Sequence, residues 1–136
     1  MLTVKTYLGP DRHGGIGLFA AEDIPAGCLV WEWNDASERV FTREQIELLP
    51  PIFRTFLSRY GYGFEDIPGS LVLSCDDGRF MNHSDNPNTT ESPPAVIRAN
   101  RDIKVGEELT CDYRVFDHEL SGGGHFLKQH RATESA

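Results

Sequence analysis

The chain has 136 residues, 13 basic against 21 acidic, for a net charge of −8. That length suits one domain with its own core, and the acidic balance argues against a direct nucleic-acid partner, whose phosphates want a basic face. No run is long and apolar enough for a transmembrane helix, and no charged leader precedes an apolar stretch, so an intracellular protein without a membrane partner is expected.

Residues 2–8 alternate apolar and polar side chains, the pattern of a strand with one buried face, and Gly9-Pro10-Asp11 is expected to end it in a turn. Gly14, Gly15 and Gly17 follow within four positions. They allow positive φ and close approach of backbone to a ligand, but the third glycine and following helix of a dinucleotide fold are missing. Taken alone, they read as a hairpin turn. Residues 22–27 form a turn ahead of a second strand, residues 28–33, which carries Trp31 as a core aromatic and Trp33 near its end.

Thr42 and Gln45 have the spacing of a capping box, with Phe41 and Ile46 as its staple. That helix should reach Leu49, where Pro50-Pro51 closes it. A second helix over residues 52–60 spaces Ile52, Phe53, Phe56, Leu57 and Tyr60 at three and four, a core-facing stripe. Residues 71–74 read as a strand, Asp76-Asp77-Gly78 as a tight turn, and residues 95–99 as a buried strand. Residues 101–108 lead by a turn into the last strand. Asp23-Ile24 with Gly27 is echoed by Asp102-Ile103 with Gly106; one match is too short for a repeat, so the two read as similar turns before strands. Beyond Ser121 the chain becomes glycine-rich and polar, and a partly flexible tail is expected. Cys28, Cys75 and Cys111 are scattered, with no Cys-x-x-Cys, so neither a disulfide framework nor a tetrathiolate zinc site is expected.

The densest chemistry lies at Arg79-Phe80-Met81-Asn82-His83-Ser84-Asp85-Asn86-Pro87-Asn88. Three consecutive hydrogen-bonding side chains follow an apolar pair, and Pro87 then stops regular structure. A loop that closes over a polar ligand needs such residues; a merely solvated loop does not. A histidine beside an asparagine could also be a metal ligand, with His13, His83 and Asp85 as a set, but ligand spacing is lacking. Downstream stands Glu107-Glu108-Leu109-Thr110-Cys111-Asp112-Tyr113.

Together these two stretches resemble the paired signature of SET-domain protein lysine methyltransferases. The resemblance covers roughly residues 3–117, with an insert at about residues 36–70 and a short tail, 118–136. It implies a mostly β fold with short helices: several small β-sheets around a C-terminal pseudoknot, a β-clip. It implies S-adenosylmethionine as cofactor and a lysine-bearing protein as substrate, a histone or a ribosomal protein among the candidates. Tyr113 matches the family's catalytic phenol. Gly15, Ile16 and Gly17 match the loop that contacts the methionine part of the cofactor, and Asn82 and His83 match residues whose side chain and backbone hold it.

Trp33, Cys111 and Phe116 are the candidates for the wall of the lysine channel. Two departures stand out. Trp33 replaces the tyrosine usual near the end of its strand, and no tyrosine precedes the Asn-His-Ser motif, which leaves Tyr60 or Tyr62 to serve. Cys111 is smaller than the Phe or Tyr frequent at its place, which leaves two readings open, addition of more than one methyl or a small buried residue with no such role; it should also share a strand face with Tyr113. Asp85 stands where zinc-binding members have cysteine, and no zinc is expected. The alternative reading is a catalytically weak interaction module that kept the fold and binds a protein partner. A cytoplasmic location is expected, with a nuclear or exported one left open, as is the choice between monomer and homodimer.

Overall fold

The computed structural model describes residues 1–64 and 66–115. The expected tail and Phe116 lie outside the described residues. The fold is mostly β with two short helices.

Strands β1 (Thr6–Pro10) and β2 (Ile16–Ala20) form an antiparallel hairpin that pairs Thr6 with Ala20 and Pro10 with Ile16. The expected turn at Gly9-Pro10-Asp11 sits later. Pro10 ends the strand, and Asp11 builds the turn, its Oδ1 accepting from the N–H of His13 and Gly15 at 2.8 Å each. Of the three glycines only Gly14 takes a positive φ. The expected alternation holds through residue 7, with Leu2 and Val4 packed against the main core and Thr3, Lys5 and Tyr7 exposed, and is corrected at Leu8, which is 41% exposed. Only β2 lies over β1 in the pairing, and β2 itself carries the buried Leu18 and Ala20.

Strand β3 (Leu29–Glu32) carries the buried Trp31. Strand β4 (Glu38–Phe41), unforeseen in the sequence, precedes α1 (Arg43–Glu47) and α2 (Pro51–Tyr60). The capping box of α1 forms as its spacing predicts: Thr42 Oγ1 accepts from Gln45 N–H at 3.2 Å, and Gln45 Oε1 from Thr42 N–H at 2.9 Å. In α2 the expected stripe is narrower than five residues. Leu57 is fully buried and Phe53 packs beside it, but Ile52 is 84% exposed, because a single sheet covers this helix on one side. That sheet joins β4, β6 (Leu71–Ser74) and β5 (Tyr62–Gly63) in the order β4-β6-β5.

A 3-10 turn (Asp77–Phe80) leads into β7 (Asn82–His83). Strands β8 (Thr89–Glu91) and β9 (Val96–Ala99) complete a sheet ordered β3-β9-β8. The last strand, β10 (Thr110–Cys111), pairs with β7 in parallel. The two echoed turns, residues 23–27 and 102–106, meet each other through an Ile24–Ile103 bridge.

The main core gathers Leu18, Ile24, Val30, Trp31, Ile97, Ile103 and Leu109 from all three regions of the chain, and a smaller one joins Phe41, Leu57 and Leu71. Each fully buried leucine contributes about 1.5–3 kcal/mol of transfer free energy. The main core also takes in Met81, just before β7, and Cys111 of β10, and so ties it to the region described next.

Candidate functional site

Two segments far apart in the chain cross at β7 and β10, with Asn82 opposite Thr110 and His83 opposite Cys111. Asn88 clamps the crossing. Its Nδ2 donates to the Glu108 carbonyl at 2.9 Å, and its Oδ1 accepts from Thr110 N–H at 3.0 Å. Thr89 Oγ1 donates to the Thr110 carbonyl at 2.7 Å, and Ser84 N–H to the Cys111 carbonyl at 3.0 Å. A two-residue ladder is short, so these side-chain bonds supply much of what holds it.

On one side of the crossing, Asn82 meets the glycine hairpin. Its Nδ2 lies 3.0 Å from Asp11 Oδ2, 3.1 Å from the Ile16 carbonyl and 3.0 Å from Glu108 Oε2. An amide has two N–H groups, so three acceptors around it leave the place rich in acceptors. Gly17 allows this approach: a Cβ there would sit 3.1 Å from Glu108 Cδ. Burial works to raise the Asp11 carboxyl, but the N–H bonds from Gly15 and His13, the charge of His13 and the Asn82 amide together hold it below its ordinary value. The sequence-predicted Gly15, Ile16, Gly17 and Asn82 thus come together. Asp11 and Glu108 were missed, because single carboxylates beside a turn and a strand carry no pattern.

On the other side, His83 is buried and both its ring nitrogens face protein atoms. Nδ1 accepts from Tyr113 N–H at 3.1 Å, so Nε2 carries the proton that meets Asp85 Oδ1 at 3.0 Å. The imidazole is therefore committed to the scaffold, and what His83 can offer a ligand is its backbone. Asp112 is held below the ordinary carboxylate range, first by the hydrogen bond from Arg114. Tyr113 packs its ring 5.4 Å from that of His83 and donates its phenol to the Met81 carbonyl at 2.6 Å. It begins a short 3-10 turn (Tyr113–Val115) rather than continuing the strand, which corrects the expected shared strand face with Cys111.

Cys111 and Tyr113 nevertheless line one cavity of about 440 Å³. Trp31, Trp33, Tyr62, Phe64 and Met81 supply most of its apolar wall. Trp33 stacks on Phe64 at 5.3 Å, and its Nε1 donates to Asp35 at 2.7 Å. Tyr62 crosses Trp31 edge-on at 6.5 Å. Its phenol donates to the buried Glu38 at 3.0 Å, and burial, then the charge of Glu38, push its pKa well above the ordinary range. Tyr60 and Tyr62, the two candidates for a second channel tyrosine, both stand on this wall. Burial, then the charges of Asp112 and Glu91, also push up the Cys111 thiol. Among the described residues, no group of three or more His, Cys, Asp or Glu side chains is arranged to hold a metal.

The family model "SET domain" matches residues 15–114. A histone-lysine N-methyltransferase of Schizosaccharomyces pombe, H3 lysine-4 specific, is 34% identical over 120 residues, which is 81% of this chain and 13% of that protein. The Drosophila melanogaster histone-lysine N-methyltransferase trr is 30% identical over 128 residues, 85% of this chain and 5% of that one. The chain thus spans a small part of the length of either relative. A solved Plasmodium falciparum chain, described as a candidate histone methyltransferase, superposes with a TM-score of 0.56 at 21% identity, covering 82% of this chain and 95% of its own. Polycomb repressive complex 2 of Chaetomium thermophilum, in a form bound to S-adenosylmethionine, gives a TM-score of 0.63 at 22% identity over 94% of this chain and 17% of its own.

Proposed function

The chain belongs to the SET-domain family, and from that premise we propose that it is an S-adenosylmethionine-dependent protein-lysine N-methyltransferase. The carrying observation is the crossing of β7 and β10, which puts an acceptor-rich cluster at Asn82 and an aromatic cavity lined by Cys111 on neighbouring rungs of one short ladder, with Tyr113 just beyond it.

The cluster of acceptors around Asn82 fits the amino-acid end of the cofactor. Asp11, Glu108 and the Ile16 carbonyl present acceptors to an ammonium, and Asn82 can turn its amide toward a carboxylate. When bound, the cofactor supplies a methyl group on a sulfonium. The chain's own part is to hold a neutral amine in line with that methyl and to keep water out. The aromatic wall of Trp31, Trp33, Tyr62 and Phe64 can sheathe an aliphatic lysine stem. The Tyr113 oxygen, oriented by its bond to the Met81 carbonyl, offers a fixed dipole beside developing positive charge. Cys111 leaves room on the same wall, and addition of more than one methyl belongs to the proposal.

The substrate is proposed to be a lysine-bearing protein, histone or ribosomal protein included, met inside the cell. One domain over residues 3–117 is part of the same reading. Calorimetric titration with S-adenosylmethionine tests it first, and radiolabelled methyl transfer to lysate proteins, with Tyr113→Phe as control, tests it second. Uptake of cofactor that Asn82→Ala weakens is the expected result. No heat from the native protein would favour an interaction module instead.

A further inference from the structure

Two acidic residues, Glu91 and the exposed Asp66, line the cavity beside Tyr113, and one Glu91 carboxylate oxygen stands without a donor among the described residues. Glu91 ends β8 and lines the cavity. One carboxylate oxygen, Oε1, accepts from Ala95 N–H at 2.6 Å. The other, Oε2, is buried and has no hydrogen-bond partner among the described residues. The other buried acid nearby differs: Glu38 accepts from Tyr62 at 3.0 Å and from Ser74 at 2.7 Å.

The surroundings hold Glu91 in this pose. Ala95 lies in the left-handed region at φ 65, a conformation that costs a non-glycine residue about 1–2 kcal/mol. Its N–H is bound to Glu91, and its carbonyl accepts from Trp33 N–H at 3.0 Å, which ties the loop to the aromatic wall. Strained backbone that fixes one oxygen of a carboxylate and leaves the other buried without a donor is the arrangement of a prepared acceptor. A buried carboxylate oxygen without a donor is unfavourable by itself and gains most from a charged donor brought to it.

We propose that Glu91 Oε2 is the specificity-determining acceptor that receives the N–H of a primary or secondary alkylammonium entering the aromatic cavity. This deepens the proposed function and rests on it for the identity of the amine as a lysine side chain. Aromatic faces alone attract any alkylammonium, a quaternary one included. A carboxylate acceptor discriminates further, because each methyl removes one N–H and a trimethylammonium has none to give. The cavity is thus built to hold the less methylated amine and to release the fully methylated one.

The test titrates n-butylammonium and n-butyltrimethylammonium into the native protein and into Glu91→Gln, followed by NMR shifts of the two tryptophan indoles. Glutamine keeps the size and an oxygen for Ala95 N–H, and thermal melting confirms that the variant folds. Native protein should bind n-butylammonium about tenfold more tightly than Glu91→Gln does, the size expected for one hydrogen bond to a charged group. Affinity for n-butyltrimethylammonium should change much less. Equal losses for both ions, no loss for either, or no shift from n-butylammonium in the native protein would each overturn the assignment. A separate titration with S-adenosylmethionine keeps the two readings apart: absence of cofactor binding would remove the methyltransferase proposal while the amine comparison still decides the role of Glu91.

Discussion

Ile24 and Ile103 each donate a backbone N–H to the other's carbonyl, both at 2.8 Å. Around this pair the two echoed turns match bond for bond. Ala26 N–H reaches Asp102 Oδ1 and Val105 N–H reaches Asp23 Oδ1, both at 2.9 Å. Gly27 N–H reaches the Ala99 carbonyl and Gly106 N–H the Ala20 carbonyl, both at 2.8 Å. The echo in sequence is therefore a local two-fold in space. It joins the strand that leads from the glycine hairpin to the turn that leads into β10, so the acceptors around Asn82 and the ladder that carries it share one support.

Gly27 and Gly106 sit at φ 86 and 90, where a side chain is strained whatever room surrounds it. No atom lies within 4 Å of a Cβ built at Gly27. Gly27→Ala should therefore isolate the backbone term and cost about 1–2 kcal/mol. Gly106→Ala should cost about the same by symmetry. Chemical denaturation measures both. A neutral result at either position would show that the two turns are not equivalent.

Asn88 supports the crossing with both ends of its amide. Asn88→Ala leaves the Thr110 N–H and the Glu108 carbonyl without this partner in a buried place, and should cost about 1–3 kcal/mol for each group left unsatisfied. Asn88→Asp restores only the acceptor and should recover part of the loss. Equal melting temperatures for the two variants would mean that the bond from Thr110 N–H contributes nothing.

The parts of this fold legible in sequence were those whose partners are near in the chain. Thr42 and Gln45 stand three apart, and their capping box formed as spaced. Residues 71–74 are an apolar run and became β6. What escaped needed distant partners. Glu38 and Arg39 look like surface, yet they open β4, because Tyr62 and Ser74 arrive to satisfy the Glu38 carboxylate. Ile52 fits the helical period but is exposed, since period says which residues share a face and not how wide its cover is. At the site, Asn82, Cys111 and Tyr113 were marked by their motifs, whereas Glu91 lay in no motif and became visible only through the cavity it lines.

Tyr113→Phe should lower turnover by about a hundredfold if the oxygen stabilises the transferring charge. It should leave affinity for S-adenosylmethionine nearly unchanged, since the phenol bonds the Met81 carbonyl and not the acceptors around Asn82. The lost hydrogen bond should also lower stability by about 1 kcal/mol. Single-turnover kinetics beside calorimetry separates the two effects. Unchanged turnover would remove Tyr113 from the reaction.

Asp11 gives the hairpin an acid limit. Its folded pKa lies below the ordinary value of 3.8, so the charged form is favoured by folding. A lowered pKa means stability that is present above the unfolded value and fades as pH falls through the folded one. Asp11→Asn keeps an acceptor but no charge. The melting-temperature gap between native protein and variant should be full near neutrality and close as the pH drops below 3.8. A gap that persists unchanged into acid would mean that shape and not charge holds the turn.

Cys75 and Cys111 should differ sharply toward an alkylating reagent. Cys75 is exposed, whereas Cys111 is buried at 5% exposure. Alkylation needs the thiolate, and burial, then the negative charges of Asp112 and Glu91, disfavour it at Cys111. Because the shift is upward, folding suppresses the reactive form, and a modest rise in pH will not restore it. Native protein treated with iodoacetamide should carry the label at Cys75 and not at Cys111, and denatured protein should carry it at both. Mass spectrometry of the digested product reads this directly. Labelling of native Cys111 as fast as Cys75 would show that solvent reaches this wall of the cavity, and the dry channel argued for methyl transfer to the amine would no longer stand.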